Sequence, residues 1–175
     1  MAYDFRSDPI LEGAHQYWLA KRGGRRMPRR RDIDPSEVVP LLPNLQITEL
    51  VDGGARVRYR LIGTAIVSTF GAEFTGKYFD EVFSGDQLRA HEENYRVLCR
   101  EKCPILVSRH YVSHKMIELL CHRLIMPLSE DDNAVNQALT AMSFQYPNKA
   151  AQRIGDWLGA QDRFDVLDTE RTIIR

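Results

Sequence analysis

The chain has 175 residues, 43% of them hydrophobic and 27% charged, the balance of a soluble globular protein of a size that buries roughly 70% of its unfolded surface. Its 24 basic and 24 acidic side chains cancel, so no net field steers the molecule toward nucleic acid or an anionic bilayer. No apolar run reaches the roughly 18 residues of a membrane span, Met1 to Asp8 lacks the apolar body of a signal peptide, and an odd set of cysteines, Cys99, Cys103 and Cys121, fits reduced thiols in the cytoplasm better than a disulfide framework.

Taken in chain order, Ile10, Leu11, Ala14, Tyr17, Trp18 and Leu19 recur at three- and four-residue intervals between Pro9 and Gly23, which predicts an N-terminal amphipathic helix stopped by Gly23-Gly24. The segment Lys21 to Arg31 then places seven positive residues in eleven. Asp34, Pro35 and Glu37 form a helix start, predicting a short helix from Val38 to Leu42 that Pro43 ends. Strands are expected over Leu45 to Val51 and Arg56 to Ile62, on either side of the Asp52-Gly53-Gly54 turn. In the second, alternation puts Val57, Tyr59 and Leu61 on the core face and Arg56, Arg58 and Arg60 on the other.

Glycine-punctuated short helices follow Gly63, and a longer helix is expected over Gln87 to Lys102 through Leu88, His91, Tyr95, Leu98 and Cys99, ending before Pro104. Ile105 to Val112, Met116 to Leu128 and Ala134 to Tyr146 read as three strands whose short connections make an antiparallel meander. After Pro147, Ile154, Trp157 and Leu158 have helical spacing and Asp162 to Arg175 is polar, so this end is expected to be a docking helix or a frayed tail. The organisation is thus an N-terminal helix and basic linker (1–43), a central domain (44–146) and a C-terminal extension (147–175).

The order strand, strand, helices, strand, strand, strand resembles that of a PAS domain. Tyr17-Trp18, Arg22 to Pro28, Asp32 to Pro35, Leu41 to Leu45, Tyr59 to Thr64 and Phe70-Gly71 are together similar to the bacterial PAS-like family called PAS_5, over about Tyr17 to Tyr146. The resemblance implies an α+β fold: a PAS-like five-stranded antiparallel sheet with inserted helices on one face, here preceded by the N-terminal amphipathic helix. It also implies a sensory or adaptor role, frequent self-association and, for most members, no assigned ligand, so the cofactor is left unknown. The expected function is a non-enzymatic cytoplasmic module that binds a small molecule, a partner protein or both, and signals through dimer or docking changes to a separate output protein. Ligand contacts in such a fold lie between the concave sheet face and the inserted helices. The candidates are Tyr59, Leu61, Phe70, Phe79, His91, Tyr95, Cys99 and His122, which would equally pack a ligand-free core. Leu11, Ala14, Tyr17 and Trp18 are the expected contacts of a homodimer or of another signalling protein.

Other chemistries have less support. Cys99, Cys103, His110, His114, Cys121 and His122 crowd together in sequence but lack the spacing of a zinc finger or a redox motif, so no metal is expected. Haem, which some PAS domains hold through a histidine, would take His91; no cysteine block of a photochemical flavin sensor surrounds Cys99. The Arg25 to Arg31 run reads first as an ion-paired linker, then as a partner contact, and last as a site for nucleic acid or an anionic nucleotide. Hydrolase and P-loop motifs are absent, leaving as the enzymatic alternative a minor small-molecule reaction at a pocket histidine, His91 or His122.

Overall fold

The computed structural model of the protein describes residues 3–113, 118–147 and 164–174. Its first long element is α1 (Pro9–Arg22), started by Asp8, whose carboxylate accepts from the backbone N–H groups of Ile10 and Leu11 at 2.9 and 3.1 Å. Pro9 occupies the first turn and Gly23, at φ 57°, ends it. The short helix expected over Val38 to Leu42 is instead two 3-10 runs, Pro35–Glu37 and Val39–Asn44, the second with Pro43 inside it.

Six strands form one antiparallel sheet in the order β2-β1-β5-β4-β3-β6: β1 (Leu45–Val51), β2 (Arg56–Ile62), β3 (Ile105–Ser113), β4 (Glu118–Leu128), β5 (Gln137–Gln145) and β6 (Phe164–Ile173). Between β2 and β3 run α2 (Thr64–Phe70), α3 (Phe79–Val82) and α4 (Gly85–Glu101). This is a mixed α/β architecture with an antiparallel sheet, as expected, but the expected five strands become six. The polar end of the chain supplies the extra one, from Phe164 to Ile173, where a frayed tail was expected. Its backbone pairs antiparallel with the outer edge of β3, from Ile105↔Ile173 to Ser113↔Phe164, and Arg171 is held by two hydrogen bonds to Asn94 Oδ1 at 2.9 and 2.6 Å. The open edge of β3 offers backbone partners to a segment with several β-branched residues and little apolar content. The helix expected around Ile154, Trp157 and Leu158 lies outside the described residues.

Both faces of the sheet are covered. α1 packs on β4 and β5 of one face, with Leu11, Ala14 and Trp18 at most 1% exposed and the Trp18 indole N–H donating to Pro127 O at 2.9 Å. Met27, Ile33 and Val38 from the basic linker join the same core. The linker itself is tied down, because Asp132 accepts from the N–H groups of Arg26 and Met27, and Ser129 N–H donates to Pro28 O at 2.9 Å. The inserted helices cover the opposite face.

A one-residue irregularity organises β2. Its register with β1 runs Thr48↔Tyr59 and then Ile47↔Leu61, so Arg60 is the extra residue and the alternation inverts beyond it. The chain then turns sharply at Gly63, whose N–H donates to Leu45 O at 2.8 Å. A β-carbon on Gly63 would overlap the Pro43 carbonyl and lie 2.5 Å from Leu42 O, both of them backbone, whereas one on Gly13 in α1 would meet only the Leu41 side chain at 3.5 Å. Gly63→Ala is therefore expected to lower unfolding stability by about 2 kcal/mol or more, and Gly13→Ala to leave it unchanged or raise it by up to about 1 kcal/mol. Urea denaturation midpoints of the two variants check the contrast.

Candidate functional site

Between the helix-covered face of the sheet and α2, α3 and α4 lies a cavity of about 920 Å³, near the upper end of the roughly 300–1,000 Å³ of small-molecule sites. Strand alternation decides what enters it. Tyr59 of β2 lines it, as do Gln46 of β1, Arg109 and Tyr111 of β3, Arg123 and Ile125 of β4, and Thr140 and Met142 of β5. The helices supply the roof, with Ile66 and Phe70 from α2, Phe79 from α3, and His91, Asn94 and Tyr95 one turn apart on α4. The opposite side of α4 is solvated and carries Arg96 bridged to Glu92 and Glu93, and Arg89 to Asp86.

Much of the wall is aromatic. Phe79 is the hub: its ring centroid lies 4.8 Å from Tyr59, 5.3 Å from Tyr95 and 5.7 Å from His91, and Phe83 stacks on His91 at 4.1 Å. The Tyr95 hydroxyl is anchored on Thr48 Oγ1 at 3.0 Å. Phe70 sits edge-on to Tyr111 at 6.0 Å, and the Arg123 guanidinium lies over its ring at 5.8 Å.

The polar floor is cationic. Arg109 and Arg123 are 3% and 7% exposed. Arg109 Nη1 donates to His91 Nε2 at 2.9 Å, and Arg123 Nη2 donates to the Tyr111 hydroxyl at 2.7 Å. Arginine is donor-only, so His91 must accept with a bare Nε2 and carry its single proton on Nδ1. Burial, reinforced by the positive charges of Arg123 and Arg109, pushes the His91 pKa well below its usual value.

Of the residues expected to line a pocket, Tyr59, Phe70, Phe79, His91 and Tyr95 are brought together here. Three are not. Leu61 falls just past the Arg60 irregularity, so it turns outward at 37% exposure and Ile62 lines the cavity in its place. Cys99 is one turn too far along α4 and sits near the β1–β2 turn, where a β-carbon on Gly54 would lie 3.8 Å from its sulfur. His122 is the β4 neighbour of Arg123 and faces the other side, where it stacks on Tyr3 at 3.5 Å and pairs with Ser108 through Nδ1 at 2.8 Å. Arg109 and Arg123 carry no sequence motif. The signal was positional: each is a charged residue on the inward register of a strand whose neighbours on that face are apolar or aromatic.

Leu11, Ala14 and Trp18, expected to meet another subunit, are buried within this chain, because α1 lies on its own sheet. Tyr17 is partly buried and bonds Asp34 and Glu37 of the linker. In the basic segment Arg25 pairs with Asp32 and Lys21 with Glu37, while the Arg29 side chain donates to the Glu130 backbone carbonyl and the Arg30 backbone N–H to the Glu130 carboxylate. Among the described residues Arg25 is the member of the Arg25 to Arg31 run whose guanidinium meets a carboxylate. The His91 Nε2 that a haem iron would take is already used by Arg109. Among the described residues no three His, Cys, Asp or Glu side chains gather as a metal site; His114 lies outside them. No helix among these residues is long and apolar enough to cross a membrane.

Comparison with known proteins gives one match: the PAS_5 family model, a PAS domain, covers residues 7–143. No curated protein and no solved structure matches.

The neutral His91 has a measurable consequence. Its folded pKa is depressed, so below about pH 6.5 the unfolded chain takes up a proton that the folded chain refuses. The stability it contributes is complete above that pH and is lost as pH falls toward the folded value. Burial acts in the same direction on His15 and His122. In urea titrations between pH 7 and 5 the wild type is expected to lose stability steadily. His91→Gln, which keeps an acceptor for Arg109, is expected to reduce that slope by up to about 1.4 kcal/mol per pH unit while leaving the contributions of His15 and His122.

Proposed function

Since the chain belongs to the PAS_5 family of PAS domains, a group of sensory and regulatory modules, we propose that it is a non-enzymatic sensor whose signal is a small molecule held between the sheet and α2 to α4. The observation that carries this reading is the cavity itself: about 920 Å³, with aromatic side chains beside polar and charged ones on its lining, a cleft of the size that takes a small molecule. Tyr59, Phe70, Phe79, His91 and Tyr95 are the contacts from the expected set, with Ile62, Tyr111 and the two arginines added.

Occupancy would act by population shift. A ligand that binds two arrangements of the helical roof unequally changes their ratio, and a partner protein reads the difference. PAS domains commonly self-associate, and a homodimer of this chain would use a surface other than Leu11, Ala14 and Trp18, which are enclosed. Catalysis at His91 has little to support it, because its Nε2 is occupied and its basicity suppressed. A cytoplasmic setting suits the reduced thiols of Cys99, Cys103 and Cys121.

Native mass spectrometry of the freshly purified full chain is expected to show a population carrying one small organic molecule. Ala72→Trp, which places an indole on the cavity lining, is expected to lose that mass while keeping the wild-type circular dichroism spectrum. Retention of the same molecule by the indole variant would place the site elsewhere and end the proposal.

A further inference from the structure

We propose that the ligand is an organic carboxylate, whose anionic group pairs with Arg109 and Arg123 at the sheet end of the cavity while its apolar body lies against Phe70, Phe79 and Tyr59. The inference deepens the reading of the cavity as a small-molecule site and rests on it. The argument begins with charge. A guanidinium stays protonated in any protein environment, so two enclosed arginines place two positive charges on one wall. They are diagonal neighbours across the β3–β4 pair, since Arg109 is opposite Cys121 and Val107 opposite Arg123. Among the described residues no carboxylate comes within ion-pair distance of either.

Their protein partners are neutral and incomplete. Arg109 has His91, with the Tyr111 hydroxyl also beside it, and Arg123 has the Tyr111 hydroxyl and the Cys121 thiol, while Arg109 Nε, Arg109 Nη2 and Arg123 Nε are buried with no hydrogen-bond partner among the described residues. Buried donors of this kind are costly unless something meets them, and both arginines are among the residues that line the cavity.

The surroundings narrow the class of anion. A carboxylate is planar and presents two oxygens that match the edge of a guanidinium. At the exposed rim Glu81 and Asp86 outnumber Lys77, a net negative charge that disfavours a more highly charged group such as a phosphate dianion. The aromatic wall requires an apolar body. An organic monoanion satisfies all three conditions.

The test is thermal unfolding of the full chain with benzoate, phenylacetate and octanoate, beside benzamide and phenylacetamide as neutral isosteres and phenyl phosphate as the phosphate counterpart. At least one carboxylate is expected to raise Tm by about 3 to 6 °C at ten times its dissociation constant, with its amide and the phosphate giving less than a third of that. Arg109→Met and Arg123→Met are expected to abolish the response. Neither should lower the ligand-free Tm, because each replaces an unpaired buried charge with an apolar side chain. Arg109→Lys, which keeps the charge and loses the planar fork, should weaken binding about tenfold or more and covers the case of a methionine variant that fails to fold. Equal shifts with amides and acids would overturn the carboxylate and leave the small-molecule site standing, and a shift with phenyl phosphate alone would overturn it in favour of a phosphate. Silence from every probe would remove both.

Discussion

A sheet covered on both faces leaves each inward position a choice between two interiors, and that constraint governs the whole molecule. α1 claims one face through Leu11, Ala14 and Trp18, with the indole tied to Pro127, so the cavity and its polar groups belong to the other. Adjacent residues then have opposite fates. Arg123 enters the cavity while His122 stacks on Tyr3 beneath α1; Ile62 enters while Leu61 turns to solvent. A slip of one residue in either strand would exchange these roles. The tight passage of Gly63 past Pro43 lies beside the place where β2 changes phase.

How much of this was legible in the sequence follows from the same constraint. β1 and β2 were readable because β2 alternates and the Asp52-Gly53-Gly54 turn separates them. α4 was readable because His91, Tyr95 and Leu98 make a stripe on a helix with an otherwise charged surface. Tyr59, His91 and Tyr95 lie on those readable elements, Phe70 and Phe79 on the short helices expected after Gly63, and all five were expected on the cavity. β4 was opaque: it is buried on both sides, so apolar residues fill both registers and no alternation distinguishes His122 from Arg123. Leu61 was misplaced because an extra residue in a strand leaves no composition signal. β6 was missed for another reason, since a polar segment becomes a strand only when a distant edge, here that of β3, is available to pair with it.

The chain as a whole carries equal numbers of positive and negative side chains, yet they are not evenly matched in space. Arg25, Arg56, Arg58, Arg89 and Arg96 each reach a carboxylate near the surface, where such pairs contribute about 0–1 kcal/mol. Arg109 and Arg123 lie where an ion pair would matter far more, and their partners among the described residues are uncharged. His91 reinforces the imbalance, since burial, helped by the charges of Arg123 and Arg109, keeps it neutral.

The path from that cavity to the outside of the molecule is short. Arg109 belongs to β3, whose outer edge holds β6, and Asn94, on the cavity wall, bonds Arg171 of the same strand. Val166 of β6 itself reaches the lining. An anion meeting Arg109 would therefore act on the strand that carries the C-terminal segment and sit beside the residue that pins it. If the ligand favours one placement of β6 over another, occupancy becomes a change at the sheet edge, where backbone groups of β3 are either covered or open to a partner strand. The size of that change is bounded by the difference in affinity for the two placements, so only contacts that differ between them can transmit a signal.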